Sequence, residues 1–189
     1  TLFINVATLR FASLGPEALT SAKRLRERGA DLVIAVVHAG GRCAENNDPS
    51  DLHSCDTETG EVFEMMKGFP YGTLDAVVAG HTHAQISHFV NGTPIIESVA
   101  LGRYFGVIDL YVDPASRKLV REKTRIRSAI EICETVDAAS GSCDPRQLKA
   151  RADEVNPVAA TWLGKKITPD DAVASLLWPG EARVEALQT

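Results

Sequence analysis

Two apolar runs, each ending in a histidine-bearing glycine turn, constrain this chain more than any other feature. Asp31–Val37 (DLVIAVV) holds six consecutive apolar residues and runs into His38-Ala39-Gly40-Gly41. Leu74–Ala79 runs into Gly80-His81-Thr82-His83 in the same way. Short, mostly β-branched runs without polar alternation predict strands buried on both faces, the pattern of a parallel sheet. Between them, Gly60–Phe69 places Val62, Phe63 and Met66 at helical spacing, with the two methionines read as core filler. Strand, helix, strand gives a parallel β-α-β unit. Sites in such sheets form at the carboxyl ends of the strands, so topology alone brings His38, His81 and His83 together.

The flanking chain is legible to different degrees. Thr1–Phe11 reads as extended. Pro16–Arg28 predicts a helix with Leu19, Ala22 and Leu25 inward and Gly29 as the stop. Ile86–Val90 and Thr93–Glu97 flank Asn91-Gly92, the strongest two-residue hairpin signal. Phe105–Val112 reads as a strand, Asp113-Pro114 as a turn, and Leu119–Ile132 as a long returning strand. Asp144–Val155 predicts a helix capped by Asp144. A C-terminal helix begins near Thr168-Pro169-Asp170-Asp171. It carries Ala172, Val173, Leu176 and Leu177, is interrupted at Pro179-Gly180, and continues its stripe with Val184 and Leu187. Trp178 beside that break suits packing on a partner domain. The fold class expected is α/β, with parallel and antiparallel parts in one mixed sheet.

Composition narrows the function classes. At 44% apolar and 24% charged residues the chain is ordinary globular protein, and its net charge of -5 weighs against nucleic acid or an anionic membrane as main partner. The basic clusters Lys23–Arg28 and Arg117–Arg127 are mixed with other residues and read as solvated faces of a helix and a strand. No apolar run is long enough to span a bilayer. Four cysteines fall into two local pairs, Cys43 with Cys55 and Cys133 with Cys143. Zinc pairs are usually much closer in sequence, so two local disulfides are the economical reading. They imply a periplasmic or secreted protein. The alternative is four reduced cysteines, and four cysteines allow three pairings. The chain begins with Thr1, so its natural N-terminus is expected upstream.

His81-Thr82-His83 after a strand is a plausible metal geometry. Imidazoles one residue apart project to the same side of an extended segment, and His38 adds a third. A structural histidine is the commoner use of an isolated His-x-His. The matched strand end at His38 tips the reading to metal. Asp51-Leu52-His53 is formally a D-x-H triplet but lies in a polar loop, and reads as coincidence. His88 reads as a structural or surface histidine. Glu97 and Asp109 are strand carboxylates with no motif to promote them.

These residues carry a resemblance. VVAGHTH, preceded by an apolar strand ending VVHAGG, resembles the calcineurin-like metallophosphoesterases. More narrowly it is similar to their secreted 5′-nucleotidase and 2′,3′-cyclic-nucleotide phosphodiesterase branch. ERGADLVIAVVHAGG resembles that branch's strand and histidine turn, and DAVVAGHTH with NGTPIIESVALGRYFGVIDLYVD its hairpin and edge strands. ITPDDAVASLL resembles the linker helix towards the branch's C-terminal domain. The resemblance implies part of a four-layer α-β-β-α fold over residues 1–168 and a linker helix over 169–189. It implies two divalent metal ions (manganese, zinc, calcium or magnesium), a nucleotide or other phosphoester substrate, and attack of a water on phosphorus. His38 and His81 match ligands of the second metal, His83 a ligand of the first, and Gly80 would let the backbone approach the metals.

The departure is equally specific. The family's D-x-H, G-D and G-N-H-[ED] motifs precede the residue matched by His38, and none stands there in this sequence. They supply the bridging aspartate, the asparagine ligand and the histidine that acts on the leaving group. No catalytic residue is therefore assigned, and three imidazoles without a bridging carboxylate are poor holders of two metals. The expectation is little or no activity for these 189 residues alone, with an N-terminal half-domain and a C-terminal domain as missing partners. The alternative is a truncated or degenerate domain acting as a binding or structural module. A generic α/β domain with a single zinc-like site at His38, His81 and His83 is a third reading.

Overall fold

The computed structural model describes residues 7–144, 148, 149 and 152–188. It divides into two compact units, Thr1–Ile130 and Glu131–Thr189. The fold is mixed α/β, with parallel and antiparallel pairing as expected.

The first unit opens with helix α1, Leu14–Glu27. Only Ala22 of its expected inward triad is buried; Leu19 and Leu25 are each more than a third exposed. The helix docks by small side chains, Ala18 and Ala22, which lets it lie close to its neighbour. A Cβ on Gly15 would come within 3.1 Å of the Met65 carbonyl oxygen. Of the expected N-terminal strand, residues 1–6 lie outside the described residues, and 7–11 form no strand.

Strands β1 (Ile34–Val36) and β2 (Ala76–Val78) are parallel, in register Ile34 to Ala76 through Val36 to Val78. Helix α2, Glu61–Met66, connects them and buries Val62, Phe63, Met65 and Met66. Both methionines are core, as their spacing predicts. The hairpin β3 (Gln85–Val90) and β4 (Thr93–Ser98) follows, in register Gln85 to Ser98 through Val90 to Thr93. Asn91 and Gly92 both have positive φ, the type I′ geometry that suits the twist of the flanking strands. Strand β4 also pairs parallel with β2, so the sheet order is β1-β2-β4-β3. Pro94 sits at the start of β4, before its pairing with β2 begins at Ile95, so its missing N–H breaks no bond there.

That order corrects one expectation. Strand β1 is an edge strand, with Ile34 and Val36 49% and 78% exposed, and is not buried on both faces. The core lies instead under β2, β3 and β4, where Val77, Ile86 and Ile95 are inaccessible to solvent. The expected long strand Leu119–Ile132 is also broken. It comprises β7 (Lys118–Leu119), a 3-10 turn at Arg121–Lys123, and β8 (Arg125–Glu131). Strand β8 pairs with β5 (Tyr104–Asp109), and β7 with β6 (Val112–Asp113).

The break has a function in the packing. It carries Arg121 to Asp75, which is 1% exposed at the amino end of β2. Asp75 Oδ1 accepts from Arg121 Nη2 at 2.6 Å, and Oδ2 accepts from the Val33 amide at 2.8 Å and from Arg26. Arg26 and Arg121 are thus internal ion-pair partners and not solvated charges, because the buried carboxylate needs compensating donors. Arg117 pairs with Asp31, and Arg127 with Asp109.

The second unit contains β9 (Thr135–Asp137) antiparallel to β10 (Pro157–Ala159), and the hairpin β11 (Thr161–Trp162) with β12 (Lys165–Lys166). The expected helix Asp144–Val155 falls partly outside the described residues; a 3-10 turn covers Ala152–Glu154. Helix α3 spans Asp171–Gln188, and Asp170 Oδ1 accepts the Ala172 and Val173 amides as its N-cap. It continues through Pro179, so Pro179-Gly180 does not interrupt it. Val173, Leu176, Leu177, Trp178 and Val184 are all exposed on it; the Leu187 side chain lies outside the described residues. Two disulfides form, Cys43–Cys55 and Cys133–Cys143, the pairing expected from local spacing.

Candidate functional site

The parallel register places the carboxyl ends of β1 and β2 side by side, and His38 and His81 leave the sheet there. Val37 N–H donates to the Val78 carbonyl at 2.9 Å, extending the ladder to the residue before His38. His38 Nε2 and His81 Nδ1 are 3.0 Å apart, with ring centroids 4.7 Å apart, and both residues are exposed. One ring nitrogen donates and the other accepts, as two neutral imidazoles can.

His83 stands two residues on, also exposed, but does not join that pair. Among the described residues, His38, His81 and His83 do not bring one nitrogen each within 4.8 Å of one another. The backbone explains this. In an extended His81-Thr82-His83 segment both rings would project to one side; here His81 has φ 90° and His83 φ 54°. Non-glycine residues in this region cost on the order of 1–3 kcal/mol each and persist only where their surroundings hold them.

The holding group is Thr82. Its hydroxyl lies 2.8 Å from the Gly41 carbonyl oxygen and 2.9 and 2.8 Å from Oε1 and Oε2 of Glu97. Glu97, on β4, is 3% exposed. The Arg42 guanidinium reaches the Thr82 carbonyl at 3.3 Å. The one hydrogen of the Thr82 hydroxyl serves one of its three acceptors at a time, so Thr82 ties the turn after β2 either to the strand beneath it or to the turn after β1. Gly40 is the tightest point of this junction. A Cβ there would lie 2.5 Å from Glu97 Oε2, from the Gly80 carbonyl oxygen and from Thr82 Oγ1. Gly80 has more room, its added Cβ meeting only the Val37 carbonyl oxygen at 3.9 Å.

Thr82, Glu97 and Gly40 were not visible as site residues from sequence. Glu97 reads as one more strand position, although an acidic residue within the otherwise apolar TPIIES is a usable signal for a buried carboxylate with a partner.

The other groups have local partners, except His88 Nδ1, which is buried without one. Asp51 and His53 pair with each other at 2.6 Å in the exposed loop closed by Cys43–Cys55. His88 is buried, with Nε2 3.0 Å from the Glu45 carbonyl oxygen, so it donates there as a structural histidine. It lies near Cys43 and Cys55, whose sulfurs are bonded to each other. The second cysteine pair lies near Glu131, which accepts the Cys143 amide.

The chain is similar to known nucleotide-processing proteins over part of its length. Over 121 residues, 56% of the chain, it is 28% identical to the trifunctional nucleotide phosphoesterase YfkN of Bacillus subtilis strain 168. Over that stretch the chain is similar to this nucleotide phosphoesterase. Over 122 residues, 65% of the chain, it is 22% identical to the endonuclease YhcR of the same organism. It spans only 8% and 9% of the lengths of these two proteins. A solved structure from Staphylococcus aureus, described as a 5′-nucleotidase, aligns with 76% of this chain and 26% of its own at 20% identity, with a TM-score of 0.47. No family model matches the sequence.

Proposed function

We propose that this chain is the histidine-bearing portion of a di-metal phosphoesterase acting on nucleotide phosphoesters, of 5′-nucleotidase or cyclic-nucleotide phosphodiesterase type. The observation that carries the reading is the His38–His81 contact at the ends of two adjacent parallel strands. Its geometry suits a shared metal. Two nitrogens bound at about 2.1 Å to one tetrahedral ion are about 3.4 Å apart, a few tenths of an ångström wider than the 3.0 Å between these two. Both are exposed, so an ion can reach them. His38 and His81 would hold one ion. His83, set apart from the pair, would serve a second.

Divalent ions in such sites polarise a phosphoryl oxygen and supply a nucleophilic water at neutral pH. What the chain itself contributes is imidazole ligands and the backbone that fixes them. It does not contribute the oxygen ligands at the pair: among the described residues, no Asp or Glu joins His38 and His81 within 4.8 Å. Magnesium, calcium and manganese favour oxygen donors, and a two-metal site needs a bridging one. The 189 residues alone therefore have little or no turnover, and activity needs the half-domain that supplies the carboxylates. The disulfides support a periplasmic or secreted setting for the whole protein. No helix among the described residues is long and apolar enough to cross a membrane.

The test combines metal analysis and turnover. Zinc and manganese are titrated into the chain and into His81→Ala and His83→Ala, and hydrolysis of a nucleotide phosphodiester is followed. Weak uptake that falls in the variants, with turnover at background, is the expected result. Unchanged metal content in both variants would remove the ligand assignments, and clear chelator-sensitive turnover would overturn the claim of inactivity.

A further inference from the structure

We propose that Glu97 is a positioning residue: through Thr82 it holds the His81–His83 turn in its left-handed backbone and so sets the distance between His81 and His38. For its metal consequence, this rests on the reading of the histidines given above.

The argument starts from the burial of Glu97. A carboxylate 3% exposed needs donors, and the side-chain donor the structure gives it is the Thr82 hydroxyl, which lies within 2.9 Å of both its oxygens. Thr82 sits between the two residues of positive φ, so restraining it restrains both neighbours. The Gly41 carbonyl oxygen, in the turn that carries His38, is the alternative acceptor for that one hydrogen. Glu97 itself is fixed by the β3–β4 register opposite Ile86, and the Ala79 amide donates to the Ile96 carbonyl at 2.8 Å, binding β2 to β4 just below the turn. A rigid strand thus sets the position of a strained turn through one hydroxyl. Outer carboxylates that orient metal-binding imidazoles usually hydrogen-bond the ring directly. Here the carboxylate acts on the backbone between two imidazoles.

Glu97→Met removes both oxygens at similar length, and Glu97→Gln keeps one acceptor. Thr82→Val removes the hydroxyl without changing shape, and Thr82→Ser restores it. Two readouts are taken on each full chain. The first, on metal-free protein, is the ring nitrogen resonances of His38 and His81 by long-range proton–nitrogen correlation. Glu97→Met and Thr82→Val are expected to lose the signature of the paired rings, and Glu97→Gln and Thr82→Ser to keep it. The second is manganese affinity, expected to fall about 10- to 100-fold in the first two and to recover in the others. If Glu97→Met does not fold, the Thr82 pair decides. Unchanged imidazole resonances in the variants lacking the contact, whatever their melting temperature, would overturn the proposal, because a purely structural role predicts that result. If the unmodified chain takes up no manganese, the metal reading falls, and the imidazole spectra still decide the role of Glu97.

Discussion

Replacing Asp75 by Asn tests how much of the first unit depends on one buried carboxylate. Three donors converge on it: Arg121 on Oδ1, and the Val33 amide and Arg26 on Oδ2. An asparagine keeps one acceptor oxygen. If that oxygen faces Val33 and Arg26, the new NH2 group meets Arg121, donor against donor. If it faces Arg121, the buried Val33 amide and Arg26 lose their acceptor. Neither orientation satisfies all three. Breaking a buried ion pair costs about 3–5 kcal/mol. The side chains of Arg26 and Arg121 are 33% and 16% exposed, so water offsets part of the loss. The cost is therefore set at the low end, about 3 kcal/mol, or roughly 150-fold in the unfolding equilibrium. With a urea slope of about 2 kcal/mol/M, the midpoint falls by about 1.5 M. Trp162 and Trp178 lie in the other unit, so the transition should be followed by far-UV circular dichroism, with amide exchange at Val33 as local probe. The triple variant Arg26→Met, Asp75→Leu, Arg121→Met should recover only part of the loss, since no charge is left unpaired but the buried Val33 amide keeps no acceptor. A midpoint within 0.3 M, roughly 0.6 kcal/mol, with Val33 still protected, refutes the reasoning.

Two further perturbations follow from the geometry. Gly40→Ala forces a Cβ to within 2.5 Å of three oxygens, one of them backbone, and is expected to cost about 1–3 kcal/mol and to separate His38 from His81; a thermal midpoint and imidazole spectrum both unchanged would contradict the close packing. In the second unit, Asp137 is held down to about 2 from 3.8, first by the Asn156 amide, then by the Ser140 hydroxyl and amide. A depressed folded value means its contribution is fully present above the ordinary carboxylate range and is lost as pH falls through about 2. Amide protection around Ser140 and Asn156 should therefore decline between about pH 4 and pH 2 and be flat across that window in Asp137→Asn; identical pH profiles would dismiss the assignment.

Much of the site's frame could be read from residue order. The apolar runs and the helix between them predict a parallel pair, and parallel pairing alone brings His38 and His81 to adjacent strand ends. Asn91-Gly92 predicts its hairpin because few other residues adopt two consecutive positive φ values. What escaped depends on partners distant in sequence. An apolar run looks the same in a central and an edge strand, so the exposure of Ile34 and Val36 was hidden. Arg26 and Arg121 read as surface charges because their partner, Asp75, stands inside an apolar segment 49 and 46 residues away. The turn at His81 and His83 is not legible for a related reason: its left-handed backbone is held by Thr82 and Glu97, not by any glycine at those positions.

The edge position of β1 also has a consequence for assembly of the site. Among the described residues nothing pairs with its outer side. Any strand laid parallel against that flank would end about 4.8 Å from the end of β1, on the side of His38 away from His81. Such a strand would add to the sheet without disturbing a bond already made.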